Sequence, residues 1–399
     1  MNSVNRMVNN TLKLLCVANL GSTSFKCKLY RWEEKLTVIA TAHIENIGKA
    51  NSLGEVMIGQ NKNSSEIKCN THLEGFNYLI NYLISHDVFK SLKDLTCIAY
   101  KAVHGGPLKG AMIINDSVIN TMKQFLPFAP VHNSIYITLI EDIRDVYPNL
   151  LQAAYFETSF HTDIPEYRSI YGIPYEWKDQ FGIKKYGFHG SSHGFIAHTL
   201  AERFSEREKI ISLHLGGSSS ICAIYGGKSI ATSFGATPQS GLFQNNRVGD
   251  FDVFCIPALI DYYKDLKEIL QILSSQSGFL GISGESNDFR DIQIQAEKGN
   301  KRAQLAMDAF IDNCIGFIGM YWAYLEGIDA LVFTGGIGNG SIYLRKQIAE
   351  KLSFYGVRID DYANENGLEI ISDKKSSVRL YNIKTDEEFI VATKCIAVM

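Results

Sequence analysis

The sequence predicts an α/β protein made of two related halves, on the strength of three glycine-rich stretches that each follow an apolar run. Residues Ile210 to Ile224 read I-I-S-L-H-L-G-G-S-S-S-I-C-A-I: a β-branched run enters a Gly-Gly-Ser-Ser-Ser turn and leaves through Ile221, Cys222, Ala223 and Ile224, as two strands joined by a tight loop would. Between Leu14 and Tyr30, Leu20-Gly21-Ser22-Thr23-Ser24 repeats Leu215-Gly216-Gly217-Ser218-Ser219 position for position. The third cluster, Gly335-Gly336-Ile337-Gly338-Asn339-Gly340-Ser341, follows an apolar strand expected over Asp329 to Phe333. Taken singly, the 210–224 stretch reads as an ordinary hairpin. Three such loops in one chain point to phosphate binding, because glycine lets backbone N–H groups approach an anion and serine adds donors without bulk. Each half then opens with strand, turn and returning strand, and the bound phosphates are expected between the halves.

Composition narrows the classes. The 399 residues are 46% apolar and 20% charged, ordinary for a soluble globular protein with room for two domains. A net charge of −3 offers no basic face for nucleic acid. The longest apolar run, Ile315 to Leu325, is eleven residues, too short to span a bilayer, so it reads as a buried helix and no membrane partner is expected. Met1 to Asn10 lacks acidic residues but gives way to the first strand too soon for a leader. The eight cysteines are scattered, several within apolar strands and none in a C-x-x-C pair, and read as reduced core residues of a cytoplasmic protein.

Along the chain, Leu12 to Tyr30 is the first hairpin and Leu36 to Glu45 a third strand. The polar interval Ala50 to His72 reads as exposed loops and edge strands, and Gly75 to Leu92 as a helix. Thr96 to Val103 is a buried strand with His104-Gly105-Gly106-Pro107 at its carboxyl end, where α/β sheets place ligands. Helices follow over Ser117 to Leu126 and on through Val146, then a strand over Leu151 to Glu157. Ile164 to Asp179, rich in Pro, Tyr and Trp, reads as the link between halves. Tyr186-Gly187-Phe188-His189-Gly190-Ser191-Ser192-His193 leads into a helix from Gly194 to Arg203; Gly190 breaks the helix between the two histidines, and with no matching third ligand they make a poor metal pair. Ser233 to Asp252 is loop-like and holds Arg247, Ala303 to Glu326 is a long helix, and Val378 to Val391 has strand character around Lys384 to Glu388.

Eleven motifs in one order are similar to the acetate kinase family: N-L-G-S-T-S-x-K, V-H-G-G, A-P-V-H-N, F-E-T-S-F-H, Y-G-F-H-G-S-S-H, H-L-G-G-S-S-S, T-P-x-x-G-L, R-V-G-D-F-D, S-N-D-F-R-D-I, F-T-G-G-I-G and T-D-E-E, from about Leu12 to Ala392. The resemblance implies two ribonuclease-H-like domains of the acetate and sugar kinase, heat-shock ATPase and actin superfold, with the nucleotide in the interdomain cleft. The expected boundaries are 1–155, joined by the tail 386–399, and 156–385. It also implies ATP-dependent, reversible phosphorylation of a short carboxylate, acetate or propionate, to its acyl phosphate, with Mg²⁺ or Mn²⁺, usually in a homodimer.

Carried over by motif, the resemblance assigns His189 to the transferring phosphoryl group and Arg247 to its charge or to the carboxylate. Lys101 and Glu157 stand at the other two catalytic positions. Asn19, Ser22, Ser24 and Lys26 line the first phosphate turn, and His214, Gly216, Gly217 and Ser218 the second. Asp288, Phe289, Arg290, Gly335, Gly336, Ile337 and Gly338 receive the adenosine; Lys101, Val103, Val131, Phe188 and Pro238 surround the acid; Asn19 and Glu387 hold the metal. His104 and His132 fit a core role as well as a site role.

Four motifs depart from the family. H-R-V-V-H-G-G stands here as Tyr100-Lys101-Ala102-Val103-His104-Gly105-Gly106, F-D-T-A-F-H as Phe156-Glu157-Thr158-Ser159-Phe160-His161, H-L-G-N-G as His214-Leu215-Gly216-Gly217-Ser218, and M-G-T-R as Gln244-Asn245-Asn246-Arg247. Lysine keeps the charge of arginine without its fork, and glutamate keeps the carboxylate on a longer stem. One lost donor at a transition state costs roughly 3 to 4 kcal/mol. Three unrepaired losses would leave a nucleotide-binding regulator rather than an enzyme. Retention of His189, Arg247 and Glu387 favours a working acyl kinase.

Overall fold

The computed structural model describes residues 13–201, 203 and 208–399, so the reading of Met1 to Asn10, like Leu12 at the head of the first hairpin, lies outside the described residues. The chain divides into two compact units: one runs through Phe156 and takes in Glu388–Met399, the other is Glu157–Glu387.

In the first unit, β1 (Leu14–Gly21) and β2 (Ser24–Trp32) pair antiparallel around Ser22 and Thr23. β3 (Leu36–Glu45), β4 (Ser52–Ile58) and β5 (Asn61–Ile67) continue the meander to an edge. β6 (Leu95–Ala102), β7 (Ala111–Ile113) and β8 (Leu151–Phe156) complete the order β5-β4-β3-β2-β1-β6-β8-β7, in which β1, β6 and β8 are parallel. Leu14 to Ala18 are all buried, as a central strand covered on both faces requires. Phe76, Leu79 and Leu83 of the helix His72–Ser85 and Tyr136, Ile140 and Ile143 of the helix Pro130–Val146, spaced by three and four, supply part of that cover.

The second unit repeats the plan. β9 (Lys209–His214), β10 (Ser220–Tyr225) and β11 (Lys228–Thr232) are antiparallel, and β12 (Ala330–Thr334) and β13 (Arg379–Asn382) add in parallel beside β9, in the order β11-β10-β9-β12-β13. With β6 and β8 counted as the fourth and fifth strands of the first unit, both sheets run third, second, first, fourth, fifth, with the second strand reversed. This is the duplicated ribonuclease-H-like α/β fold. The helix Lys301–Leu325 starts at Asn300, whose Oδ1 accepts from the N–H groups of Arg302 and Ala303, and buries Ala303, Ala306, Met307, Phe310, Cys314, Ile318, Tyr321 and Leu325 along one stripe. Phe310 packs 4.8 Å from Phe279, and Phe279 5.5 Å from Phe289, so this stripe fixes the segment that carries Asp288.

Several expectations are corrected. Ile164 to Asp179 is no linker but part of the second unit, with short helices at Glu166–Ser169 and Tyr175–Phe181. The helix expected from Gly194 starts at Gly190, and the one expected through Leu92 stops at Ser85. In the tail the strand ends at Asn382, and Glu387–Ile396 is a helix: its apolar residues Ile390, Val391 and Cys395 recur at helical spacing, a signal hidden by the strand propensity of the residues before it. The third glycine cluster is a single helical turn, Gly335–Gly340. Seven cysteines are buried, but Cys255 is exposed.

Candidate functional site

The second glycine loop is built on Leu215. Its N–H donates to the Thr334 carbonyl (2.8 Å), and its own carbonyl accepts from Ile337 and Gly338 (2.8 and 3.0 Å), which seats the turn Gly335–Gly340 on the end of β9. Gly335 is required there: its φ is +80° and a Cβ would lie 2.6 Å from the Leu215 carbonyl oxygen. Ser219 closes the loop, accepting from Gly216 N–H (3.2 Å) and donating to the Gly216 carbonyl (3.1 Å). The two glycine segments border a cavity of about 440 Å³, lined by Gly216, Gly217, Asn245, Asp288, Phe289, Arg290, Gln293, Gly336, Ile337, Gly340 and Ser341. That volume suits a nucleoside or similar ligand. Asp288 caps the helix Phe289–Glu297 by accepting from Arg290 N–H (2.8 Å), and the Arg290 guanidinium holds its carboxyl below the usual range.

Beside the loop lies a histidine network. His189 adopts a left-handed backbone, φ 57°, uncommon outside glycine and held here from three sides. The Phe188 carbonyl accepts from His161 Nε2 (2.8 Å), Gly190 N–H donates to the Glu157 carbonyl (3.0 Å), and His193 N–H donates to the His189 carbonyl (2.9 Å). A carbonyl only accepts, so His161 carries its proton on Nε2 and takes the Ser229 hydroxyl on Nδ1 (2.8 Å). Burial pushes His161 down to about 4, and burial, then the nearby His161 and His214, holds His193 well below the usual range; both are neutral at physiological pH. The Ser220 hydroxyl joins His189 Nδ1 and His193 Nε2, each at 2.9 Å, and His193 Nδ1 meets Ser212 (3.0 Å). The His189 ring lies 4.1 Å from that of His214, which bonds Ser192 (2.7 Å) and stands 3.9 Å from Glu387.

Arg247 enters from the 244–247 turn. Its Nη1 reaches Gln244 Oε1 (3.2 Å), the Pro238 carbonyl (3.3 Å) and Ser218 Oγ (3.4 Å), and among the described residues it has no carboxylate partner. Burial lowers its pKa, though an arginine stays charged. A partly buried guanidinium without an acid calls for an anion.

Thus Gly216, Gly217, Asp288, Phe289, Arg290, Gly336 and Ile337 line one cavity, with Arg247, Ser218, His189 and His214 around the adjoining loop. Gly335 and Gly338 act beneath it, through Leu215. Glu157 is buried and both its oxygens accept from Ser191, from the hydroxyl (2.5 Å) and the N–H (3.3 Å), at the start of the helix Gly190–Ala201. Phe188 is buried with its ring against Phe234.

In the first unit, Ser22 and Lys26 are exposed at the turn, Ser24 is half-buried, and Asn19 Nδ2 donates to Glu388 (3.1 Å), the residue after the one expected to share its metal. Lys101 and Val103 are half-buried and Val131 is 58% exposed. His104 is a core residue: buried, stacked 5.0 Å from Phe125, its N–H and carbonyl clipped by Asn133 (3.0 and 2.9 Å). Asn245, Gln293, Gly340, Ser341, His161 and His193 were not singled out from sequence as site residues.

A strand–glycine turn–strand unit used twice, with a nucleoside-sized cavity over the second turn, defines an α/β fold suited to a nucleotide, and its chemistry has to be read from the site. Comparison with known proteins agrees. The acetokinase family model matches residues 14–393. Acetate kinase 1 of Listeria monocytogenes serotype 4b (strain F2365) is 38% identical over 380 residues, 94% of this chain and 95% of that protein. The acetate kinase of Halothermothrix orenii is 37% identical, covering 96% and 98%. Among solved structures, a propionate kinase from Francisella tularensis superposes with a TM-score of 0.90 at 33% identity over 97% of this chain and 100% of that one, and the Entamoeba histolytica acetate kinase with 0.86 at 28% over 97% and 99%. The chain belongs to the acetokinase family.

Proposed function

We propose that this protein transfers the γ-phosphoryl group of ATP to a short-chain carboxylate, acetate or propionate, forming the acyl phosphate and ADP in a reversible reaction. A carboxylate oxygen forms the new P–O bond as the bond to ADP breaks, and the task left to the protein is to position the groups and balance charge. The observation that carries the reading is Arg247, a partly buried cation with no acid partner, set against Ser218 of the glycine loop. The cavity beside Asp288 takes the adenosine, and backbone N–H groups of the 216–218 turn take phosphate oxygens.

His189, anchored through Nδ1 to Ser220, donates to the transferring phosphoryl group, and Arg247 holds its charge. Lys101 supplies the second cation, and Val103, Val131, Phe188 and Pro238 the apolar side of the acid site. Glu157 is a positioning residue: by accepting from Ser191 and Gly190 it fixes the strained turn that aims His189. The family resemblance assigns Asn19, Ser22, Ser24 and Lys26 to the phosphates as well.

Mg²⁺ is commonly bound through one or two carboxylates plus substrate phosphates, and Glu387 beside His214 would supply such a carboxylate. When bound, Mg²⁺ neutralises phosphate charge. The buried free thiols support a cytoplasmic setting. The family resemblance supports a homodimer.

The test is ADP release and hydroxamate-trapped acyl phosphate with ATP, Mg²⁺ and a panel of short acids. Product with acetate or propionate is expected. ATP binding without product on any acid would instead make the protein a nucleotide-operated regulator.

A further inference from the structure

The loop residue Gly217 offers no side chain to a ligand, yet the structure does not leave that space empty. A Cβ built on Gly217 would lie 3.6 Å from Asn245 Nδ2 and 4.0 Å from its Cγ, and Asn245 N–H donates to the Gly217 carbonyl (3.4 Å). Asn245 lines the nucleoside-sized cavity, and its buried Oδ1 has no hydrogen-bond partner among the described residues. A buried amide oxygen left unpaired is destabilising unless something else satisfies it. The backbone that carries it is held firmly. Gln244 N–H donates to the Arg247 carbonyl (3.0 Å), while the carbonyls of Gln244, Asn245 and Asn246 accept from Phe279, Leu280 and Ser277 (2.9 to 3.0 Å). The same turn carries Arg247 to Ser218.

The two positions are also the two where H-L-G-N-G and M-G-T-R have exchanged residues: asparagine has become Gly217, and glycine has become Asn245. We infer that Asn245 is a nucleotide-binding residue of this protein: from the 244–247 turn its Oδ1 accepts from a ribose hydroxyl of ATP and its Nδ2 donates to a phosphate oxygen, replacing an amide lost from the loop at position 217. The loss of the loop asparagine is therefore a relocation rather than decay. The inference rests on the reading that this cavity takes ATP.

The reciprocal geometry sets the experiment. An asparagine placed at 217 would extend its amide into the space Asn245 fills, so Gly217→Asn alone crowds the site; Asn245→Gly and Asn245→Ala remove the Asn245 amide. ATP affinity of the purified full-length protein, measured by calorimetry, is expected to fall about ten- to a hundredfold in each single variant, the scale of one hydrogen bond to a charged ligand. The double variant Gly217→Asn with Asn245→Gly should return to within about threefold of the parent, the non-additivity of contacting residues. Asn245→Asp, isosteric but anionic, should weaken ATP more than Asn245→Ala does. Circular dichroism confirms that each variant is folded. If Asn245→Ala and Asn245→Asp bind ATP like the parent, the amide is not a ligand and the inference alone is overturned. If the parent itself does not bind ATP, the assignment of the cavity falls and takes the inference with it.

Discussion

At His189 the proposed catalytic role falls on a strained backbone. A non-glycine residue at φ 57° costs of order 1 to 3 kcal/mol and persists only where neighbours over-determine it, as His161, Glu157 and His193 do here. Alanine at 189 keeps the backbone but loses the ring, so turnover should fall by a hundredfold or more while ATP affinity stays near the parent's, as read by single-turnover kinetics beside calorimetry. Normal turnover would remove His189 from the mechanism. His161 gives a separate prediction. It titrates near 4 when folded against about 6.5 when unfolded, so between those values the unfolded chain takes up a proton that the folded state refuses. Its contribution to stability is complete above about pH 6.5 and is lost as pH falls toward 4, by up to about 1.4 kcal/mol per pH unit. Urea midpoints across that range should drop for the parent, with a shallower slope in His161→Asn. Motif spelling exposed His189 and Arg247 because their neighbours are distinctive. It passed over His161 and His193 because what matters there is burial and a facing serine hydroxyl, neither of which one sequence displays.

Among the elements, strands and glycine turns were the most legible. An alternating or continuous apolar run beside a glycine cluster leaves few alternatives, and β1, β2, β9 and β10 fall within a residue or two of where the pattern puts them. Illegible elements were those decided by tertiary contacts. The Gly335–Gly340 segment reads as a loop from composition, since glycine is a poor helix former, but the Leu215 carbonyl organises it into a helical turn by accepting from Ile337 and Gly338. That dependence can be tested at Gly335. With φ +80° and a backbone oxygen 2.6 Å from any Cβ, Gly335→Ala must shift β9 or the turn. The variant should lose about 1 to 3 kcal/mol in urea unfolding and bind ATP at least tenfold more weakly. Unchanged ATP affinity would mean the turn does not shape the nucleotide site.

For the whole molecule, the second unit carries a stretch that bears on how many copies act together. The short helix Ile256–Tyr263 and its neighbour Leu266–Ser275, with the residues just before them, expose Val253 (63%), Phe254 (86%), Tyr262 (81%) and Leu270 (50%) within one short stretch of chain. Scattered exposed apolar residues need no explanation, but several large ones on adjoining elements are candidates for an interaction surface, which the variants below test. A second copy of this chain is the occupant the family resemblance implies. A closed two-fold dimer would use the same stretch on both partners, so one substitution acts twice. Light scattering behind size-exclusion chromatography should give twice the 44.6 kDa chain mass for the parent. Phe254→Asp with Tyr262→Asp places two desolvated charges in each copy's share of the interface, and should yield a folded monomer at micromolar concentration, because burying an unpaired carboxylate costs far more than a surface change of that size. A parent that elutes as a monomer would refute the dimer. A double variant that remains dimeric would place the interface elsewhere on the protein and leave this apolar stretch without that role.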